Sequence, residues 1–422
     1  MLSKEDNELI TRVGPGTALG NLMRRYWIPV ALSSELPGPD CAPIRTKVLG
    51  EKLVAFRDTA GRVGVLEEFC AHRRASLFLA RNEEHGLRCV YHGWKYDVDG
   101  NCVDQPNEPS EKCFKSKVCL TAYRATESGG VVWAYMGPRD TIPPPPNFEW
   151  TRVPQSHRFI TKTIQENNWL QALEGGVDSA HSSFLHRGLG DARTGGWTGW
   201  RLKATAPKQQ VDLTDYGFAY AAIRDLGDEG NFVKVYHYVM PFHTTFAFQL
   251  GASGETYRPE IHGHMFVPMD DETVMLYNLL YRFGGEGFTQ SYIDEMESLR
   301  GRGPGDQNAD FRKVRNRNND WLINREHQKT QSFTGIAGIN NQDHAVQESM
   351  GPIVDRTKEH LGTSDQAVVA VRLTLLREIR KVQAGGDPPG LVLTRAKIRA
   401  IEKLLPKGVD WREALKTEIY PD

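Results

Sequence analysis

Two pairs of cysteine and histidine residues lie in the first quarter of the chain. Cys70 and His72 form the first pair, with one residue between them, and Cys89 and His92 form the second, with two residues between them. Sixteen residues separate the two pairs. Thiolate sulfur and imidazole nitrogen both bind zinc and the irons of iron–sulfur clusters. The four residues are therefore candidate metal ligands.

The spacing of these residues distinguishes between two kinds of metal site. A structural zinc site would hold all four ligands on one tetrahedral ion. A Rieske [2Fe–2S] cluster instead takes two thiolates on one iron and two imidazoles on the other. One residue between cysteine and histidine is too short for the usual chelation of one zinc, but it lets each pair give one ligand to each of two irons. This spacing, with the turn-forming Gly93 after His92, favours the cluster, and zinc is the alternative.

A second set of candidate ligands lies near the middle of the chain, at Asp178, His181 and His186. Asp178 and His181 are three residues apart and would share a helix face. His186 follows His181 by five residues, which a straight helix would rotate by about 140°. Both imidazoles can therefore meet one metal only if the helix ends or kinks between them. Two histidines and one carboxylate form the facial triad of non-haem Fe(II) oxygenases, whereas two surface histidines are the plain interpretation of the pair alone.

The elements that must position the first set of ligands are strands. From about residue 44 to residue 118, short apolar runs alternate with turn signals such as Asp99-Gly100-Asn101, which predicts an all-β domain. The four prolines at Pro143–Pro146 cannot continue a helix or a central strand. They predict a stiff connector and a domain boundary nearby.

The C-terminal part of the chain mixes helices and strands, so the fold class is α+β. Apolar residues at helical spacing predict a helix over residues 165–186 that carries the two histidines, and further helices at 289–300, 319–330, 366–384 and 393–405. Five apolar runs predict an antiparallel sheet: Phe218–Arg224, Phe232–Met240, Thr244–Leu250, Ile261–Val267 and Thr273–Tyr281.

The composition is that of an ordinary globular protein. Of 422 residues, 39% are hydrophobic and 25% charged, and 52 Lys and Arg balance 53 Asp and Glu. This balance argues against a nucleic-acid-binding protein, which normally has a basic excess. No run of about 18 apolar residues is present, and the charged N-terminus lacks the apolar stretch of a signal peptide. We therefore expect a cytoplasmic protein.

These motifs together resemble the catalytic α subunit of the Rieske non-haem iron aromatic-ring-hydroxylating oxygenases, and within them the phthalate 4,5-dioxygenase-like family. The resemblance covers nearly the whole chain. Its most specific segments are Glu67–Trp94, Asn101–Asp104, Asn168–His186 and Asn341–Pro352. It implies an N-terminal segment at 1–40 that packs on the catalytic domain, an all-β Rieske domain at 41–147, and a helix-grip-like catalytic domain at 148–422.

The resemblance also implies two cofactors, a Rieske [2Fe–2S] cluster and a mononuclear Fe(II). The cluster ligands would be the two Cys–His pairs described above. The iron ligands would be His181, His186 and a carboxylate in the segment Asn341–Pro352, where we predict Asp343. Glu348 is the alternative ligand, and a helix N-cap is the plain interpretation of Asp343.

Roles for three further residues follow from the same resemblance. Asp178 would accept hydrogen bonds from His181 and from His92 of a neighbouring subunit, and Asn168 and Glu174 would line the path between the two metal sites. This arrangement implies a homotrimer or two stacked trimers. The electrons would come from NADH through a separate reductase that contains flavin and an iron–sulfur centre.

The substrates of such oxygenases lead us to expect O2 and an aromatic carboxylate such as a phthalate or a substituted benzoate, converted by cis-dihydroxylation. O-Demethylation of a methoxylated or aryl-ether aromatic acid is the alternative. A carboxylate substrate needs a cation or several donors in its pocket. Candidates are Lys203, Lys208, Arg224, Lys234, His243 and Arg282. We name Lys208 and His243 as the predicted substrate contacts.

Two other classes of protein compete with an enzyme. A Rieske electron carrier is usually about one domain long, whereas some 270 residues follow the connector here and contain the histidine pair. A zinc-binding interaction protein would use the Cys–His pairs alone. Metal analysis distinguishes the three classes. Three irons per chain would indicate an oxygenase, and two irons would indicate an electron carrier. A colourless protein that contains zinc would indicate the zinc-binding interaction protein.

Overall fold

The computed structural model describes residues 2–189, 196–250, 257–395 and 397–422. They divide into a smaller unit at 13–146 and a larger unit formed by the first twelve residues with 147–422. Two short helices open the chain, α1 (Lys4–Leu9) in the larger unit and α2 (Ala18–Met23) in the smaller one. None of the helices in the described ranges combines the length and the apolar character needed to cross a membrane.

The smaller unit is built from two antiparallel sheets. Its strands are β1 (Trp27–Leu32), β2 (Ile44–Val48), β3 (Glu51–Arg57), β4 (Val63–Glu67), β5 (Arg81–Glu83), β6 (Gly86–Arg88), β7 (Lys95–Tyr96), β8 (Cys102–Asp104), β9 (Ala122–Ser128) and β10 (Val131–Tyr135). Six strands form one sheet in the order β1-β10-β9-β4-β3-β2, and β5-β6-β7-β8 form the other. The all-β prediction for this part of the chain is confirmed.

The N-terminal segment differs from its prediction. We expected all of residues 1–40 to pack on the catalytic domain, but residues 13–40 group with the smaller unit. The reason is β1, which pairs with β10 from Trp27↔Tyr135 to Leu32↔Val131. Its mostly apolar residues are buried, as expected for a strand that belongs to a core sheet.

The larger unit contains an eight-stranded antiparallel sheet. Its strands are β11 (Arg158–Gln165), β12 (Lys208–Leu213), β13 (Gly217–Asp225), β14 (Asn231–Val239), β15 (His243–Ala247), β16 (Glu260–Pro268), β17 (Val274–Arg282) and β18 (Ile401–Leu405). The order is β11-β17-β16-β15-β14-β13-β12, and β18 pairs with β14 beyond the end of β15. All five predicted strands are present, whereas the predicted helix at 393–405 is wrong because residues 401–405 pair with a distant strand.

The helices of the larger unit pack around this sheet. Besides α1, they are α3 (Glu149–Arg152), α4 (Trp169–Val177), α5 (Gly196–Lys203), α6 (Gln290–Arg300), α7 (Arg325–Thr330), α8 (Ile339–Ser349), α9 (Gln366–Gln383), α10 (Trp411–Ala414) and α11 (Lys416–Ile419). The helix predicted over 165–186 is shorter than expected. Gln165 still belongs to β11, and the backbone leaves the helical conformation at Asp178, with ψ 122°.

Three buried histidines lie on the sheet of the larger unit. Burial disfavours the charged imidazolium and lowers the pKa of His237 to about 4, of His243 to about 3 and of His262 to about 4. His237 shows how the neutral ring is held, because its Nδ1 lies 2.8 Å from the hydroxyl of Tyr216 and its Nε2 lies 3.0 Å from the carbonyl of Arg399. In the unfolded chain the usual pKa of 6.5 returns.

These histidines predict acid destabilisation. Each binds a proton near pH 5 only after unfolding, so stability is fully present above about pH 6.5 and is lost down to about pH 4. The free energy of unfolding should fall by about 4 kcal/mol per pH unit near pH 5. Urea unfolding between pH 5 and 8 measures this slope, and His237→Gln should reduce it by about one proton. A free energy of unfolding that stays constant from pH 7 to 5 would contradict the prediction.

Candidate functional site

Cys70 and Cys89 each begin a tight loop that carries one histidine. The amide of Arg74 donates to the carbonyl of Cys70, and the amide of Gly93 donates to that of Cys89, both at 2.9 Å. Arg74 and Gly93 occupy equivalent places in the two loops and both have positive φ, 60° and 81°. A Cβ at Gly93 would lie 2.6 Å from Pro106, so only glycine fits there.

The two loops bring the four side chains together. The ring centroids of His72 and His92 are 4.3 Å apart, and the thiols of Cys70 and Cys89 contact each other. Within the described part of the chain, the buried Nδ1 atoms of both histidines have no hydrogen-bond partner. A buried polar atom without a partner is costly, and a metal ligated through both Nδ1 atoms would remove that cost. The donor set fits a Rieske cluster.

The larger unit brings together His181, His186 and Asp343. Their candidate ligand atoms all lie within 4.8 Å of one another, and no other such group occurs in the described ranges. Asp343 Oδ1 is 3.2 Å from His186 Nε2 and 3.6 Å from His181 Nε2. The three side chains are 11–25% exposed. Two imidazoles and one carboxylate around one point fit the facial triad that binds Fe(II).

The backbone after α4 explains how two histidines five residues apart can meet. The helix ends at Val177, and a short 3-10 turn at His181–Ser183 redirects the chain before His186. Glu348, the alternative ligand, points elsewhere, because its carboxylate accepts hydrogen bonds from the Trp321 indole at 2.7 Å and the Glu166 amide at 3.1 Å.

Close packing of α4 on α8 places Asp343 opposite the histidines. A Cβ at Gly175 would lie 1.9 Å from the side-chain nitrogen of Gln347, so the glycine allows the close approach. Gln171 on α4 donates to the carbonyls of Gln347, at 3.2 Å, and Gly351, at 3.0 Å. These side-chain hydrogen bonds fix α8 on α4.

Asp178 lies beside the triad. Its Oδ2 is 3.3 Å from His181 Nδ1, and its Oδ1 accepts a hydrogen bond from the amide of Ala180 at 2.7 Å. Burial opposes ionisation of Asp178, but the contact with His181 outweighs it and holds the pKa of the carboxyl below its usual value. An ionised acceptor at Nδ1 directs the Nε2 atom of His181 towards Asp343.

Comparisons with known proteins identify the family of the chain. Residues 26–117 match the Rieske [2Fe-2S] domain, and residues 134–421 match the family described as LigXa C-terminal domain like. The chain is 40% identical to the phthalate 4,5-dioxygenase oxygenase subunit of Pseudomonas putida, over 98% of this chain and 94% of that protein. The chain belongs to the Rieske oxygenases, in the phthalate 4,5-dioxygenase-like family.

Two further relatives and one solved structure are similar to the chain. The chain is 36% identical to the 3-chlorobenzoate-3,4-dioxygenase oxygenase subunit of Comamonas testosteroni, over 99% of both chains. It is 32% identical to the 5,5'-dehydrodivanillate O-demethylase oxygenase subunit of a Sphingobium species, over 98% of this chain and 88% of that one. The fold matches the structure of Pseudomonas putida CBB5 NdmA QL mutant with theobromine, with a TM-score of 0.62 and 19% identity, covering 91% of this chain and 98% of that one.

Two residues predicted to line the path between the metal sites make contacts that stabilise the Rieske oxygenase fold. Asn168 caps α4, because its side-chain oxygen accepts from the amide of Leu170 at 3.1 Å, and its nitrogen donates to the carbonyls of Thr11 and Asp271. Glu174 forms ion pairs with Arg356 and Arg372. The hydrogen bonds of both side chains therefore hold α4 in place.

The predicted substrate contacts lie in different environments. Lys208 is exposed on β12, so an anion bound there would stay in water. His243 is buried and lines a cavity of about 30 Å³ with Thr244, His264 and Phe148. Arg224, another candidate from the sequence, is fully buried on β13.

Sequence analysis missed the partner of His186. The Nδ1 atom of His186 lies 2.7 Å from Oε1 of Gln342, which directly precedes Asp343 on α8. The sequence shows that a polar residue, Gln342, directly precedes the predicted ligand. It does not show that Gln342 contacts His186, because 156 residues separate the two. Only the packed helices show that these two residues meet.

Glu174 is the centre of a buried ion-pair cluster. Its carboxylate is 2.9 Å from Arg356 and 2.7 Å from Arg372. Arg372 also pairs with Glu359 at 2.5 Å. Burial alone would raise the pKa of Glu174, but the two guanidinium groups outweigh it and hold the pKa below its usual value. The cluster ties α4 to α9 and to the segment after α8.

We therefore expect Glu174→Gln to destabilise the protein. Removing one partner of a buried ion pair leaves the other charge uncompensated and costs about 3–5 kcal/mol. Urea unfolding measures the loss, and the visible spectrum of the Rieske cluster should be unchanged. Glu326→Gln is the matched control, because its partner Lys329 is exposed and the change in stability should be too small to resolve. Equal stabilities of the two variants would contradict a structural role for Glu174.

Proposed function

We propose that this chain is the terminal oxygenase component of a multicomponent system that cis-dihydroxylates an aromatic carboxylate, such as a phthalate or a substituted benzoate. Both atoms of O2 would enter the ring, and NADH with one proton would supply the two electrons and two protons that balance the reaction. The observation that carries the proposal is the convergence of His181, His186 and Asp343 in a chain that also contains a Rieske domain. The names of two relatives, a phthalate and a chlorobenzoate dioxygenase, support the substrate class.

The residues of the two sites would have different roles. The two Cys–His pairs would hold the cluster, and the triad would hold Fe(II). When bound, the cluster supplies single electrons and the iron supplies the reactivity of O2 towards an aromatic ring. Asp178 keeps His181 in one orientation through Nδ1. The low exposure of the triad side chains limits access of bulk water to the metal.

A separate reductase would deliver the electrons from NADH. The relatives are named as oxygenase subunits, which supports a division of labour between proteins. We propose a reductase that contains flavin and an iron–sulfur centre, because a two-electron donor must be coupled to a cluster that takes one electron at a time.

Arg224 is the side chain we propose as the anchor of the substrate carboxylate. It is buried on β13, and its guanidinium donates to the carbonyl of Ser179 at 2.9 Å, one residue after Asp178. That carbonyl belongs to the segment between Asp178 and His181, so the guanidinium lies beside the segment that carries the histidines. A guanidinium presents a fork of donors that matches a carboxylate. This assignment replaces Lys208, which is exposed.

A reconstituted assay tests the proposed function and the anchor together. With NADH, a phthalate-dioxygenase-type reductase and phthalate, we expect a cis-dihydrodiol. Arg224→Gln should raise KM for phthalate about 10–100-fold, since a buried hydrogen bond to a charged group contributes about 1.5–3 kcal/mol. Arg282→Gln on β17, which removes an ion pair with Glu260 on β16, is the control and should keep KM. An unchanged KM in the Arg224 variant would contradict the anchor.

The identity of the product decides between the two candidate reactions. The relative named 5,5'-dehydrodivanillate O-demethylase supports the alternative. In O-demethylation, one oxygen atom of O2 enters the methyl group and the other leaves as water, so a methoxylated acid gives a phenol and formaldehyde. Formation of formaldehyde, with no diol from any aromatic carboxylate, would replace the first proposal by this one.

Asp178 supports a proposal about assembly. Its carboxylate contacts His181 and the amide of Ala180, and its side chain is still 25% exposed. A donor from another copy of the chain can therefore reach it. We propose a homotrimer, or two stacked trimers, in which His92 of one copy hydrogen-bonds to Asp178 of the next. Head-to-tail contacts of this kind close into a ring.

We expect Asp178→Asn to keep both metal sites and the oligomer but to slow electron delivery. The amide preserves the shape of the side chain and loses the charged acceptor that two histidines would share. Rapid mixing of the reduced protein with substrate and O2 measures reoxidation of the cluster. Reoxidation at the wild-type rate would contradict the bridge.

Light scattering tests the proposed ring. A fully active monomer of 47.5 kDa would contradict it.

A further inference from the structure

Gln342 is a buried amide that connects the two segments of the triad. It is 8% exposed and lies on α8 next to Asp343. Its Oε1 atom is 2.7 Å from His186 Nδ1, and its Nε2 atom donates to the carbonyl of Ile336 at 2.9 Å. Both ends of the side-chain amide are therefore engaged.

The contact with Ile336 determines the orientation of the amide. A carbonyl oxygen can only accept a hydrogen bond, so the NH2 group of Gln342 must face Ile336. The amide oxygen, which also can only accept, then faces His186. Nδ1 of His186 must carry the proton of this hydrogen bond.

The same proton determines which nitrogen of His186 is free to bind a metal. A neutral imidazole with a proton on Nδ1 has its lone pair on Nε2. Nε2 is the atom that lies 3.2 Å from Asp343 Oδ1. The hydrogen bond from His186 to Gln342 therefore points the ligating lone pair at the carboxylate ligand.

We propose that Gln342 is a positioning residue of the iron site, which sets the tautomer and the ring orientation of His186. The inference rests on the proposed function, in which the triad binds Fe(II). One turn of α8 would thus supply both the carboxylate ligand and the partner of a histidine ligand from another segment. His181 has a charged acceptor in Asp178, and His186 has a neutral one in Gln342. Loss of such a partner typically lowers metal affinity 10–100-fold.

Two variants separate this role from simple packing. Gln342→Met and Gln342→Glu both remove the donor to Ile336, but only Gln342→Glu keeps an oxygen that can accept from His186 Nδ1. Gln249→Met is the matched control for the loss of a buried amide. The side chain of Gln249 donates to the carbonyl of Ala400 at 3.2 Å and accepts from the amide of Glu402 at 3.3 Å, without contacting the triad.

The measurement is metal binding by the full chain with its cluster in place. Chelation removes the mononuclear metal, and titration with Fe(II) and with Co(II) gives the affinity and the visible spectrum of the refilled site. We expect Gln342→Met to bind 10–100-fold more weakly, Gln342→Glu to bind at least as tightly as wild type, and Gln249→Met to be unchanged. The Co(II) spectrum should change in both Gln342 variants, because the partner of His186 changes.

Other results would overturn the inference. Wild-type affinity in Gln342→Met, or equal weakening in Gln342→Met and Gln342→Glu, would show that the hydrogen bond to His186 is not what matters. If Gln342→Met does not fold, Gln342→Glu decides alone, and an unchanged affinity and Co(II) spectrum would overturn the role. If wild type binds no metal beyond the cluster, the proposed function fails and this inference fails with it. Metal binding by wild type that is insensitive to Gln342 removes only the inference.

Discussion

The close crossing of α4 and α8 is the constraint on which the candidate iron site depends. Two of the three candidate ligands follow the end of α4, and the third lies on α8. Gly175 leaves room for the side chain of Gln347, and the side chain of Gln171 links the helices through two hydrogen bonds to backbone carbonyls. A side chain at position 175 would displace the side chain of Gln347, which lies on α8 four residues after Asp343. Packing between elements that are remote in sequence thus produces the geometry that a metal requires.

The charged residues on α4 and those that follow it have different roles. The body of the helix carries Glu174, which is neutralised by two buried arginines. The segment beyond its end carries Asp178 and the two histidines, which are partly exposed. A buried charge without a partner would cost several kcal/mol, and the two arginines remove that cost for Glu174. The helix is fixed at its body and presents ligands at its end.

Local spacing explains what the sequence could predict. The two Cys–His pairs each lie within one loop, so their spacing along the chain already predicts the site. The strands could be predicted for the same reason, since each is a short apolar run that is visible in the local sequence. The sequence predicts that the helix must end or kink for the two histidines to meet, but it does not predict that α4 ends at Val177. The sequence predicts a helix over 393–405, but Ile401–Leu405 is a strand, because its pairing with β14 is a contact with a distant segment. The hydrogen bond from His186 to Gln342 and the burial of Arg224 depend on such contacts as well, and no local pattern encodes them.

X-ray diffraction from crystals of the protein loaded with iron, recorded on both sides of the iron absorption edge, tests the central claim most directly. We predict an anomalous difference peak for a single iron between His181, His186 and Asp343. A separate two-iron peak should lie between Cys70, Cys89, His72 and His92. Absence of an iron peak at the triad in crystals that retain the two-iron peak, or a peak there that belongs to zinc, would contradict the claim.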